Sequence, residues 1–119
     1  MEIYTGLIME YLIERATNIN PKDDLEKLLK SKKNLRVKLG VDPTAPDVTL
    51  GWYAILRMLK KFQDYGHTAV LILGEFTAKV GDPSGKSETR KVMEENEIDD
   101  NAKGVLPIIK NILNENNLE

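Results

Sequence analysis

Residue types that can do chemistry gather in two stretches of the chain. The first runs Lys38-Leu39-Gly40-Val41-Asp42-Pro43-Thr44-Ala45-Pro46-Asp47-Val48-Thr49-Leu50-Gly51-Trp52, and the second Gly81-Asp82-Pro83-Ser84-Gly85-Lys86-Ser87-Glu88-Thr89-Arg90. In the first, an alternating apolar segment stops at Asp42, two prolines interrupt the backbone, and a helical pattern starts after Gly51. A strand end that feeds a helix in this way makes an anion site. The first N–H groups of the helix lack intrahelical acceptors and carry the positive end of its dipole. Gly51 lets a flat group or a phosphate approach the backbone, and Thr44 and Thr49 offer hydroxyls. A stiff connector, with Asp47 or Thr49 capping the next helix, accounts for the same residues without a ligand.

The second stretch compares with the phosphate loop GxxxxGK[ST] but is one residue short. Val80 stands where glycine is required, so a phosphate-loop hydrolase is disfavoured. What remains is Asp82 beside a Pro-Ser-Gly turn, followed by Lys86 and Arg90. A carboxylate there can hold an ammonium group, and the two cations a polyphosphate. A solvated charged loop explains the same spacing.

The elements around these stretches are legible from periodicity. Leu7, Ile8, Tyr11, Leu12, Ile13 and Ala16 follow helical spacing, so a surface helix is expected over Leu7–Thr17. Asn20-Pro21 opens a second helix over Lys22–Ser31, with Asn20 as a cap and Pro21 at the first helical position. Leu35–Val41 alternates as a half-buried strand. A long helix is expected from Gly51 to Asp64, burying Trp52, Ile55, Leu59 and Phe62, with Gly66 ending it. The apolar run Thr68–Leu73 reads as a strand buried on both faces of a parallel sheet. Strand, loop, helix, strand is a right-handed βαβ unit, the building block of a nucleotide-binding α/β sheet. His67 is expected to end a turn or strand rather than to ligate.

From Gly74 to Arg90 a long polar loop is expected. From Ile98 a further helix places Val105, Ile108, Ile109, Ile112 and Leu113 on one face, with Pro107 as its kink or its start. No strand is expected after Asn114. A two-strand sheet is a meagre core, so the chain reads as cut short. The expected division is one partial domain over residues 1–119. It comprises leading helices (1–34), the βαβ unit with its loop (35–73), a polar loop (74–98) and a helix (99–119).

The 119 residues leave room for one domain. A formal net charge of −2 excludes a strongly basic nucleic-acid arm as a global feature. With no cysteine and a single histidine, thiolate sites and multi-histidine metal clusters are excluded, and no metal site is expected. No apolar run approaches the ~18 residues of a membrane span, and the acidic start is unlike a signal peptide, so a cytoplasmic location is expected.

The two motifs, Gly-Val-Asp-Pro-Thr-Ala-Pro-Asp and Gly-Asp-Pro-Ser-Gly-Lys-Ser-Glu-Thr-Arg, together resemble bacterial tyrosyl-tRNA synthetases of class I. The likeness is strongest from Leu35 to Arg90. It implies an α/β fold, the N-terminal part of a Rossmann-like (HUP-type) parallel-sheet nucleotide-binding domain with leading helices. It further implies an enzyme, a tyrosine–tRNA ligase that activates tyrosine with ATP and Mg2+ and transfers tyrosyl to tRNA-Tyr, with a homodimeric parent. By resemblance Gly40, Asp42, Thr44 and Gly51 contact ATP or the adenylate, and Asp82 binds the ammonium group of tyrosine. Thr49, Gly51, Lys86 and Arg90 take the catalytic positions, the two cations stabilising pyrophosphate. The class I signature His-x-Gly-His falls on Thr49-Leu50-Gly51-Trp52, so both histidines are replaced. The Lys-Met-Ser-Lys-Ser loop has no counterpart in this sequence, and the stretch alone is expected to show little activation. A non-catalytic nucleotide-binding module of the same ancestry is the alternative.

Overall fold

A computed structural model of the chain describes residues 2–31, 33–74 and 94–119. The elements are α1 (Glu2–Arg15), α2 (Lys22–Lys30), β1 (Arg36–Val41), α3 (Leu50–Asp64), β2 (Thr68–Leu73) and α4 (Glu95–Ile112). A 3-10 turn follows at Glu115–Asn117. β1 and β2 pair in parallel, from Arg36 opposite Thr68 to Val41 opposite Leu73, with α3 as the crossover. The βαβ unit expected from the sequence is therefore present.

Side-chain alternation gives the sheet two unlike faces. Val37, Leu39, Ala69 and Leu71 pack with Leu56 and Leu59 of α3 and with Val105 and Ile109 of α4. On the other face stand Arg36, Lys38, Gly40, Thr68, Val70 and Ile72. Ile72 is 48% exposed, so β2 is not buried on both faces as its apolar run predicts. The cause is coverage: among the described residues the helices that contact the sheet join only the first face. A second cluster unites Ile8, Met9 and Leu12 of α1 with Leu29 of α2 and Phe62 of α3. α3 thus belongs to both cores.

Several expectations need correction. α1 begins at Glu2 rather than Leu7, and it buries Thr5, Ile8, Met9 and Leu12 while Leu7 and Ile13 face solvent. Pro21 occupies the N-cap of α2 itself, without a side-chain cap from Asn20. In α3 the buried stripe is Leu56, Leu59, Phe62 and Gln63, one residue round from the expected one, so Ile55 is exposed. α4 starts ahead of Ile98 and continues past Pro107, so Pro107 is not its start.

The C-terminal residues also differ from expectation. Glu119 donates its N–H to Ala69 O at 2.8 Å and accepts from Leu71 N–H at 2.9 Å. Leu118 forms a parallel bridge with Ala69, so a third short segment extends the sheet beyond β2. Gln63 makes this possible. Its amide donates to Asn114 O and Asn117 O, both at 2.9 Å, and accepts the Asn114 N–H at 2.9 Å.

The other end of α3 is closed by Gly66, whose φ of +88° suits a residue without a side chain. His67 follows, buried, with Nδ1 accepting the Leu35 N–H at 3.2 Å. Burial pushes its imidazole below the ordinary histidine value. The structural role expected for this residue is the one it has.

Candidate functional site

In parallel α/β sheets ligands bind beyond the carboxyl ends of the strands, where crossover helices begin. β1 ends there at Val41, and the loop from Asp42 to Val48 leads into α3. Asp42, Thr44, Asp47, Thr49 and Trp52 line a small cleft of about 40 Å³, floored by Val41 and Val105. Asp42 and Thr44 are drawn together by a tight turn in which Thr44 N–H donates to Asp42 O at 2.8 Å. Pro43 between them is wholly buried. The loop is therefore anchored by a proline and presents the polar residues on either side.

At the helix end, Thr49 is the N-cap of α3, and its Oγ1 accepts the Trp52 N–H at 3.3 Å. The capping role raised for it in the sequence is real. Accepting uses a lone pair and not the hydroxyl proton, so the same side chain retains a donor on the cleft wall. No acidic residue occupies the first turn of α3, and the carboxylates nearest its positive end are those of Asp42 and Asp47 on the cleft wall. The indole of Trp52 is half-buried against the same cleft.

The predicted residues divide into three groups. Asp42, Thr44 and Thr49 come together around the cleft. Gly40 and Gly51 flank it: Gly40 faces open space on the uncovered side of β1, and Gly51 is exposed in the first turn of α3. A side chain at either would meet no backbone atom within 4 Å. Their use to a ligand is therefore access, since the fold itself does not require glycine at these two positions. Asp82, Lys86 and Arg90 lie outside the described residues.

Sequence reasoning missed what stands behind the loop. Asn101 of α4 is buried and donates from Nδ2 to Pro43 O at 3.0 Å. A Cβ added at Gly104 would lie 2.7 Å from Pro46 O and 3.0 Å from Pro46 Cβ. A signal existed, because an asparagine on the apolar stripe of a helix and a glycine in its interior both run against helix propensity.

A larger cavity of about 330 Å³ opens between α1, the end of α2 and the turn before β2, lined in part by Tyr4, Leu29, Tyr65 and His67. It lies at the amino ends of the strands, away from the helix N-terminus, and gathers none of the predicted site residues.

The comparisons agree on one lineage. A family profile described as tRNA synthetases class I (W and Y) matches residues 30–118. A tyrosine–tRNA ligase from Thermotoga maritima is 47% identical over 95 residues, 80% of this chain and 24% of the relative. One from Carboxydothermus hydrogenoformans is 50% identical over 99 residues, again 80% of this chain and 24% of the relative. Among solved structures, a C-terminally truncated mitochondrial tyrosyl-tRNA synthetase from Coccidioides posadasii superposes with a TM-score of 0.70 at 29% identity. That superposition covers 87% of this chain and 27% of the other. The chain thus spans about a quarter of the length of the curated relatives it matches.

Proposed function

This chain belongs to the class I tRNA synthetases (W and Y), and from that premise we propose that it forms the nucleotide side of a tyrosine–tRNA ligase catalytic domain. The observation that carries the reading is the cleft at the end of β1, where Asp42, Thr44 and Thr49 meet the N-terminus of α3. The relatives at 47% and 50% identity are both tyrosine–tRNA ligases, which favours tyrosine over tryptophan as the amino acid.

In the proposed reaction a tyrosine carboxylate oxygen attacks the α-phosphorus of ATP, and the bond to the pyrophosphate oxygen breaks. Tyrosyl-adenylate forms, and a terminal hydroxyl of tRNA-Tyr then displaces AMP. Such chemistry demands positioning and charge neutralisation more than acid–base work. Magnesium enters with ATP as part of the substrate. Gly40 gives the nucleotide access to β1. Asp42 and Thr44 supply oxygen acceptors and a hydroxyl donor. Thr49 and Gly51 offer a donor and an open approach at the helix end. Asp82 is assigned to the tyrosine ammonium group, and Lys86 and Arg90 to the leaving pyrophosphate. The division into leading helices, βαβ unit, polar loop and closing helix belongs to the same reading, as do a homodimeric parent and a cytoplasmic location. Among the described residues no helix is long and apolar enough to cross a membrane.

Trp52 supports a second reading, a module that binds nucleotide without turnover. Its indole occupies the cleft wall where the signature has a second imidazole, and it offers only one N–H donor. Tyrosine-dependent ATP–pyrophosphate exchange separates the two. The chain is substituted for the matching segment of the Thermotoga maritima ligase. Exchange with tyrosine, and not with tryptophan, is expected from the folded chimera. A folded chimera that binds ATP but exchanges nothing would establish the second reading instead.

A further inference from the structure

We infer that Asn101 and Gly104 are positioning residues that latch the nucleotide loop to α4, an inference that rests on the cleft having the role just proposed. The latch has two points in matching register. Asn101 donates to Pro43 O, and three residues on Gly104 admits the backbone of Pro46, three residues beyond Pro43. Asn101 is 7% exposed and Pro43 is wholly buried, so their hydrogen bond is shielded from water. A carbonyl buried without its donor costs more than the bond itself contributes, which makes the closed loop a well-defined state. Gly104 acts by absence. At 2.7 Å from a backbone oxygen, a methyl group forces either α4 or the loop to move.

What the latch sets is the shape of the turn Asp42-Pro43-Thr44. With Pro43 held from behind, Asp42 and Thr44 face the cleft and Val105 of α4 closes its floor. Neither Asn101 nor Gly104 lines the cleft, so their effect on a ligand passes through the loop alone. Helix propensity favours other residues at both positions, and Ala in place of Gly should stabilise an isolated helix. The latch reading predicts the opposite sense for the loop.

The experiment uses the 119-residue chain with Asn101→Ala, Gly104→Ala and a control, Leu12→Ala, placed in the core shared by α1 and α2. Backbone 15N order parameters at Thr44, Ala45 and Asp47 report the latch without any ligand. They are expected to fall from about 0.85 to below about 0.6 in either latch variant while the β1–β2 amides stay rigid. Trp52, the only tryptophan of the sequence, reports ATP binding by fluorescence, and affinity is expected to weaken about tenfold in the same variants. Leu12→Ala should lower the melting temperature and leave both readouts unchanged. Order parameters unaltered in both latch variants, or lowered equally by the control, would overturn the inference. A wild-type chain that ignores ATP overturns the functional reading instead, and the order parameters still decide the latch. If one latch variant does not fold, the other decides alone.

Discussion

Thr49 and His67 show how single side chains are fixed by their surroundings. The N–H of Trp52 holds the Thr49 hydroxyl at the mouth of the cleft, so a capping residue doubles as a directed donor. His67 is held in the neutral form by a different logic. Its Nδ1 accepts from the Leu35 backbone, which a protonated nitrogen cannot do, and burial adds to the cost of charge. The folded value therefore lies below the unfolded one of about 6.5. Between them the unfolded chain binds more protons, so stability is complete above pH ~6.5 and falls as the pH drops toward the folded value. As His67 is the only histidine, the urea midpoint between pH 7.5 and 5.5 reads this residue in isolation from other histidines. It is expected to fall with pH in the wild type and to stay flatter in His67→Gln. Equal slopes would show that the Leu35 bond does not depend on the neutral ring.

At the scale of elements, Gln63 does for the C-terminal segment what Asn101 does for the loop. Three hydrogen bonds from one buried amide join the end of α3 to residues 114–117 and bring Leu118 and Glu119 onto β2. Gln63→Leu, apolar and of similar volume, leaves the carbonyls of Asn114 and Asn117 without that donor. Stability should drop by roughly 1–3 kcal/mol, with loss of protection at the Glu119 amide. Thermal unfolding and amide exchange check this, and an unchanged Glu119 amide would contradict it. The strands, the crossover helix and the break at Gly66 were legible in the sequence, because periodicity and glycine act locally. Gln63, Asn101 and Gly104 were not. Each is explained by a backbone segment tens of residues away, so a residue that runs against the pattern of its helix marks a contact without naming the partner. Ile55 was misplaced for the same reason, since Gln63 takes a buried place on the α3 stripe that periodicity awards to apolar residues.

At the scale of the whole molecule, two cores meet along α3, and the cleft and the larger cavity lie at opposite ends of the sheet. The cores leave the face of Lys38, Gly40, Val70 and Ile72 uncovered among the described residues, which is why an apolar run in β2 overstated its burial. The larger cavity at the amino ends has more room, yet the smaller cleft has the helix terminus, the hydroxyls and the latched loop. Volume alone would select the former; charge and geometry select the latter. The most direct measurement is a titration of the 15N-labelled chain with Mg–ATP, followed by amide chemical shifts. Perturbations centred on Asp42 to Thr44 and Thr49 to Trp52 are expected. Perturbations centred on Tyr4, Tyr65 and His67, with the loop silent, would place the nucleotide at the wrong end of the sheet and contradict the account.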